Sequence, residues 1–379
     1  MKHKNIDIFS PYILLFGVIL YLALAGIALK LNIKGLVPYS LMTYYSIFYG
    51  SFLFLIGIFF AIFIKRYLNI KESKLNLNGI KKINQHLSYE KIVLILVISG
   101  ILIQIINIYF IGGIPLLSGY LKAKAVTKIW FASYIIFLPS INLLLAKFNR
   151  KFYYILFFVG FILFAITGYR TTTMAILISV FITSYYVLNL KFKYIAIFSI
   201  FMLISGLALG FIAVKAIEWQ QWALNPLDLF FYRAGYTLNV LDRVVELQGA
   251  TKGSLLYYTL TGFFESMDPR IIIGETVLKY RISTTSTIFG PALLDWGYWA
   301  LGVQMFILGT FLKLFHILQK AKKGIFTAFY AVILAHSLIW IETGPTDLVV
   351  WIFFIVSLVL MLMGYEFKKD ALTKSGDLK

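Results

Sequence analysis

From Pro11 to Phe367 the chain is a near-continuous series of apolar runs, each long enough to cross a bilayer, broken by short lysine-rich punctuation. A helix needs about 20 apolar residues to cross the hydrocarbon core. Hydrocarbon offers backbone amides no partner, so each amide must bond within its own segment. With 60% hydrophobic residues and a mean hydropathy of +0.86, the 379-residue chain is not a soluble globular domain. The expected fold is all-α, a polytopic transmembrane helical bundle forming a single integral membrane domain over 1–379. Any chemistry must come from the few polar side chains that such an environment tolerates.

The apolar runs give ten expected spans, at 11–29, 40–64, 92–112, 129–146, 152–168, 171–190, 194–214, 289–312, 324–344 and 348–366. The first run is long and has no small-residue cleavage site after it, so it reads as a span and not as a removable signal. Lysine and arginine set the orientation of such a chain. Placing both termini in the cytoplasm puts 22 of the 35 Lys and Arg residues inside, with six of the 16 acids inside and ten outside. The formal charge of +19 is then an insertion signal and a contact to anionic membrane lipids, with no nucleic-acid partner implied. The expected location is the plasma membrane, multi-pass.

Several function classes fall away. There is no cysteine, hence no disulfide or thiolate metal site, and the four histidines form no His-x-x-x-His pair. No Gly-rich phosphate loop, linker or internal repeat stands out. The segments assigned to the cytoplasm are short, the longest being the basic, Asn-rich stretch 65–91, and none could form a nucleotide-binding domain. No cofactor is expected.

Nearly all the outer mass lies in one large extracytoplasmic loop, 215–288. Trp219, Trp222, Leu224, Leu227, Phe230 and Phe231 recur at helical intervals beside Glu218, Gln220, Asp228 and Arg233. They read as an amphipathic helix at the interface with tryptophans at headgroup depth. A second such stretch, Leu255 to Phe264, follows Gly249 and Gly253. The alternative is a hydrophobic lid packed on the bundle. The density of charge favours function: Arg233, Asp242, Arg243, Glu246, Glu265, Asp268, Arg270, Glu275, Lys279 and Arg281 all fall here.

Arg170 is the sharpest single residue, at the tight turn between the fifth and sixth spans in Gly168-Tyr169-Arg170-Thr171-Thr172-Thr173. It either snorkels to lipid phosphate or points inward to hold an anionic ligand. The threonine hydroxyls, able to cap a helix or line a cavity, and the positive end of that helix favour the second. Lys122, Lys124 and Lys128, after the third span, are either a second phosphate contact or a solvated face. His336 lies near the middle of the ninth span, with Glu342 and Asp347 near its outer end. Ionisable groups at such depth are candidates for function because their burial is costly. Asp295 is expected near the outer end of the eighth span, in reach of Arg281 or Arg170. Gln104 and Asn107 are expected to hold helices together.

Four motifs in order carry a resemblance: Gly112-Gly113-Ile114-Pro115-Leu116-Leu117, Gly168-Tyr169-Arg170-Thr171, Tyr232-Arg233-Ala234-Gly235-Tyr236, and Ser283 to Gly302 with Ser286-Thr287-Ile288-Phe289-Gly290-Pro291 and Leu294-Asp295-Trp296-Gly297. Together with the single dominant outer loop, the chain resembles the O-antigen polymerase family, the oligosaccharide repeat-unit polymerases. The resemblance implies an enzyme that takes a glycan from one polyprenyl pyrophosphate carrier and joins it to a hydroxyl of another on the outer face of the membrane. It also implies that Arg170 and Arg233 engage the pyrophosphate and glycan. A flippase and a chain-length regulator would be companions. Related ligases carry a histidine where this chain has Ser286, so a histidine mechanism at that position is not expected.

The chemistry of such a transfer has its own demands. Breaking a sugar–pyrophosphate bond requires stabilising the departing phosphate oxygens, by a metal or by fixed cations. No outer Asp-x-Asp pair is present, whereas several outer arginines are, and guanidinium binds phosphate bidentately without deprotonating. Metal-independent transfer is therefore expected, with Arg170, Arg233, Asp242 and Glu246 as catalytic candidates. Arg281, Arg243, Lys124, Asp295 and His336 are the substrate-binding candidates. Glu218, Asp242 and Glu246 remain open as the base. A multi-pass transporter or flippase of lipid-linked glycans is the alternative, but it calls for repeat symmetry and paired broken helices. An acyltransferase with His336 as base would need polar inner loops, and these hold mainly lysine.

Overall fold

The computed structural model describes residues 7–67, 71–72, 84–215, 224–265 and 267–366. These form α1 (Ile13–Lys30), α2 (Leu41–Tyr67), α3 (Asn84–Ile111), α4 (Gly119–Lys124), α5 (Lys128–Lys147), α6 (Lys151–Ala165), α7 (Arg170–Leu188) and α8 (Phe192–Lys215). Then follow α9 (Pro226–Glu246), α10 (Ser254–Thr261), α11 (Pro269–Ile273), α12 (Gly290–Trp296), α13 (Tyr298–Lys322), α14 (Ile325–Thr343) and α15 (Leu348–Gly364). One small ladder pairs β1 (Lys71–Glu72) antiparallel with β2 (Tyr365–Glu366).

Among the described residues eight helices are long and apolar enough to cross a membrane, and the shorter apolar α6 and α15 bring the set to the ten expected. The protein is a multi-pass, all-α membrane protein. One span differs from its expected place. The apolar run at 289–312 does not form one helix: residues 290–296 form the short α12, Gly297 breaks the chain at φ +76, and the span is α13, 298–322. Hydropathy alone placed it too early, because α12 is buried in protein and the basic tail of the true span carries Lys313, Lys320 and Lys322.

Helix contact in lipid rests on close packing, since hydrocarbon supplies no hydrophobic drive between helices. α2 and α13 meet through two glycines. A Cβ on Gly57 would lie 2.2 Å from the Phe306 carbonyl oxygen, and one on Gly309 would lie 2.2 Å from that of Phe54. Thr310 Oγ1 donates across this contact to the Gly57 carbonyl at 3.1 Å. Phe137 of α5 is wedged between Gly100 of α3 and Gly160 of α6 in the same way. Asn107 accepts from Thr127 Oγ1 at 2.6 Å, tying α3 to the start of α5. α14 sits at the centre, against α1, α5, α7, α13 and α15, and is buried along nearly its whole length.

The two ends of the bundle differ. At one, Asp7 meets His316 at 2.8 Å and Lys320 at 2.5 Å near the tail of α13, and the β1–β2 ladder joins the segment after α2 to the end of α15. Both described ends of the chain therefore lie together. At the other end sit the start of α7, the last turn of α14 and the layer α9–α12. α9 lays Ala234, Leu238, Leu241, Val244 and Val245 inward, packing mainly along α1. It is thus an amphipathic helix seated on the bundle. The expected tryptophan face at Trp219 and Trp222, with Glu218 and Gln220, lies outside the described residues. The second amphipathic stretch is α10, entered through positive-φ Gly249 and Gly253.

Candidate active site

Four segments distant in sequence converge on one carboxylate. After α3, Gly112 turns at φ +82 and Pro115 opens a short turn whose Leu116 amide donates to the Ile166 carbonyl at 2.8 Å. That bond fixes the outgoing strand of chain against the α6–α7 turn. Gly168, at φ +74, leaves room there for Leu116 and for the aliphatic stem of Lys122. The turn makes Arg170 the first residue of α7, and its Nη2 donates to Glu342 Oε1 at 2.7 Å. From α9, Arg233 Nε reaches the same Oε1 at 2.8 Å, and its Nη2 meets Thr285 Oγ1 at 3.2 Å.

Arg233 is held in place from two sides. Gly235 lets the backbone of α9 close on α1 and the following loop, where a Cβ would lie 2.5 Å from Leu36. Further along, Asp242 Oδ1 accepts from the Ser40 amide and hydroxyl at 2.8 and 2.6 Å and from Thr43 Oγ1 at 2.5 Å. These bonds anchor α9 to the start of α2. Burial pushes the Asp242 carboxyl up, but the hydrogen bonds from Ser40 and Thr43 hold it below its ordinary range.

The cluster is cationic. Arg170 and Arg233 share one carboxylate, with the side chains of Arg170, Arg233 and Glu342 each a quarter to about a third exposed, and Lys122 lies near enough to feel both guanidinium charges. Burial lowers the Lys122 ammonium, and the nearby charges of Arg170 and Arg233 lower it further. Burial works against the Arg233 charge, yet Glu342 outweighs it and holds the guanidinium above its usual range. Such a site suits a multivalent anion whose oxygens can take guanidinium hydrogen bonds.

Across the first turn of α7 lies a cavity of about 480 Å³, lined by Tyr169, Thr171, Thr172, Arg270, His336 and Asp347 among others. Thr171 and Thr172 line this space, while the helix start itself has no side-chain cap. Arg270 is bracketed by Asp268 at 3.1 Å and Asp347 at 3.5 Å. Asp347 leads the effects on Arg270; with Asp268 it raises the guanidinium well above its ordinary range against the cost of burial. Asp268 caps α11 and also accepts from Ser283 Oγ at 3.3 Å, so its oxygens are committed. His336 Nδ1 is 2.8 Å from the Val332 carbonyl, which leaves Nε2 to Tyr134 OH at 3.1 Å.

The other sequence candidates lie apart. Asp295 joins neither Arg281 nor Arg170. It is buried, and accepts from the Leu255 and Leu256 amides at 3.0 and 2.9 Å and from Thr251 Oγ1 at 2.6 Å, capping α10. The short α12 carries it under that helix instead of into the outer end of a span. Arg281 is exposed and pairs with Glu275 at 3.6 Å, while Arg243 and Glu246 are exposed on α9. Lys124 turns to Tyr120, and Lys122, two residues earlier on α4, faces the arginines. Ser286 is fully buried against Gly290, with no hydrogen-bond partner for its hydroxyl. Sequence reasoning thus named Lys122, Glu342 and Asp347 only as candidates, and missed Thr285. The only signal for Glu342 and Asp347 was an ionisable side chain at the end of an apolar span.

Among the described residues no three His, Asp or Glu side chains are grouped to hold a metal ion. No solved structure matches the chain. Two uncharacterized proteins of Methanocaldococcus jannaschii are similar to it. One is 29% identical over 210 residues, 55% of this chain and 58% of the relative. The other is 30% identical over 202 residues, 53% of this chain and 48% of the relative. The chain thus spans about half the length of these curated relatives. The model of the family described as "Putative O-antigen polymerase" matches residues 7–354, which takes in all four converging segments. The chain belongs to the O-antigen polymerase family.

Proposed function

We propose that this protein joins polyprenyl-pyrophosphate-linked oligosaccharide units into a surface polysaccharide on the outer face of the membrane. The observation that carries this reading is the shared oxygen of Glu342, which holds Arg170 and Arg233 side by side with Lys122 near. The orientation follows from charge: the end bearing Lys65, Arg150, Lys191 and Lys320 is the cytoplasmic one, with both termini there, and the arginine cluster faces out.

In the reaction, an acceptor hydroxyl oxygen attacks the anomeric carbon of the donor sugar. The bond from that carbon to the phosphate oxygen breaks, and its electron pair leaves on the diphosphate. Arg170, Arg233 and Lys122 meet the charge that develops there. Glu342 acts as a positioning residue, keeping both guanidiniums aimed at one place. The hydroxyl proton passes to Asp347, whose carboxylate lies 3.5 Å from Arg270 and keeps lone pairs to receive it. Asp242, an acid of the same outer layer, anchors the helix that carries Arg233, while Glu246 stands exposed on that helix. Donor, acceptor and membrane lipid are the partners this requires, and a flippase would deliver the units.

The test is made in a cell that builds a surface glycan with this protein as its polymerase. With Arg170 and Arg233 both replaced by Lys, single units should persist on the outer carrier while long polymer disappears. Units trapped on the inner leaflet would instead indicate transport, and unchanged polymer would refute the reading.

A further inference from the structure

The 480 Å³ cavity does not end at its polar wall. It shares Thr259 and Trp340 with a second space of about 450 Å³ that opens between α13 and α15. That second space is apolar. Trp299, Val303 and Ile307 of α13 and Ile355 and Leu358 of α15 line it, each substantially exposed on the flank of the bundle that lipid would cover. From Trp299 to Phe311 the groove follows α13 for about 18 Å, at about 1.5 Å per residue, more than half the roughly 30 Å thickness of a hydrocarbon core. The Trp340 ring stacks on Phe354 at 4.9 Å and forms part of the wall common to both spaces.

The cavity itself carries unmet hydrogen-bonding capacity. Trp130 Nε1, Trp340 Nε1 and Thr346 Oγ1 are buried without partners, and all three residues line it. They are 7%, 4% and 3% exposed. Buried donors are rarely left unpaired, because each costs about 1–3 kcal/mol. Three around one cavity point to a ligand with many hydroxyl or amide oxygens. The charge there argues against a phosphate, since Asp268 and Asp347 outnumber Arg270. The Asp347 carboxylate and the tryptophan rings suit a neutral sugar, the first accepting a hydroxyl and the second covering its C–H faces.

We propose that cavity and groove together hold the acceptor, a second lipid-linked saccharide with neutral sugars in the cavity and its isoprenoid tail between α13 and α15. The proposal rests on the polymerase reading and adds where the second substrate sits. Donor diphosphate and acceptor sugar then face each other across the Tyr169–Arg170 step, with Asp347 on the acceptor's side.

The experiment uses the full chain in phospholipid nanodiscs and a polyprenyl-pyrophosphate disaccharide of neutral sugars bearing a diazirine in its tail. Photolysis should label peptides of α13 and α15. Excess unlabelled carrier-linked disaccharide should compete, and excess phosphatidylglycerol should not. Filling the groove with Val303→Trp and Ile307→Trp should cut labelling about 10-fold or more, as extra volume in a fitted space is poorly tolerated. Arg170→Lys with Arg233→Lys should leave it in place. Labelling confined to other helices, or competition by phosphatidylglycerol in the unaltered protein, would overturn the proposal. A purified protein that joins no units while this labelling stands would refute the polymerase reading and leave the binding site intact.

Discussion

Arg170 and Arg233 donate to one and the same oxygen, Glu342 Oε1, at 2.7 and 2.8 Å, from α7 and from α9. Two like charges so placed repel unless something anionic lies between them. In the resting protein Glu342 fills that role, and during transfer a diphosphate would share it. Replacing Glu342 by Gln keeps the shape and removes the charge. The melting temperature in detergent should fall, with about 1–2 kcal/mol lost, a modest figure because the pairs are partly exposed. If Glu342 only positions the arginines, kcat should fall more than KM rises, and Glu342→Asp should restore part of it. A variant with full stability and full rate would remove Glu342 from the site.

Asp347→Asn tests the base. The amide retains the size of the side chain and an oxygen toward Arg270 but takes no proton. The rate should drop about 10²- to 10⁴-fold, the usual worth of general-base assistance. Binding of the lipid-linked substrates should remain. Retention of the full rate would assign the proton elsewhere.

Metal-independent transfer predicts that polymer formation in vitro survives EDTA and gains nothing from added Mg²⁺ or Mn²⁺. Guanidinium and ammonium groups then carry the stabilisation of the leaving diphosphate. Loss of activity on chelation, restored by a divalent ion, would contradict this.

At the opposite end of the bundle, burial pushes the Asp7 carboxyl up, but His316 and Lys320 outweigh it and bring it from the ordinary 3.8 down to about 2. A carboxyl depressed on folding contributes stability that is complete above its unfolded value and is lost as pH falls through the folded one. The contribution is about 2 kcal/mol, at about 1.4 kcal/mol per unit. Asp7→Asn should therefore lower the melting temperature at pH 6 and have little further effect near pH 2. Equal destabilisation at both values would show that Asp7 acts through packing alone.

Gly309→Val places side-chain atoms where the Phe54 carbonyl stands, at a contact between two backbones with no flexible side chain to yield. A loss of about 1–3 kcal/mol, or more, is expected. Gly26→Ala, with nothing within 4 Å of the new carbon, is the control and should be neutral or better. Thermal unfolding of the two variants in one detergent decides.

The bundle was legible in the sequence because bilayer thickness writes itself as run length. Nine of the ten spans stand close to their expected places. The tenth case, α13, was displaced because hydropathy cannot tell a buried short helix such as α12 from the start of a span. Arg170 and Arg233 were legible as charges in turn and loop motifs, and the geometry brings them together. Their partner was not: Glu342 lies far along the chain, and only the packing of α14 against α7 delivers it. Lys122 and Lys124 differ by helical phase on a six-residue helix, too short for a pattern to show. Asp295 looked like a membrane-depth acid and is a helix cap, because the turn at Gly297 sets it beneath α10.

α9 is pinned twice, by the Gly235 contact with α1 and the loop after it and by the Asp242 bonds to the start of α2. Its arginine is consequently part of a rigid frame and has no swing to make when a carrier arrives. Should the proposed reading hold, a change of sugar would fall to the aromatic chamber beyond Tyr169 and leave the arginine pair untouched. Choice of building block and making of the bond would then belong to separate walls.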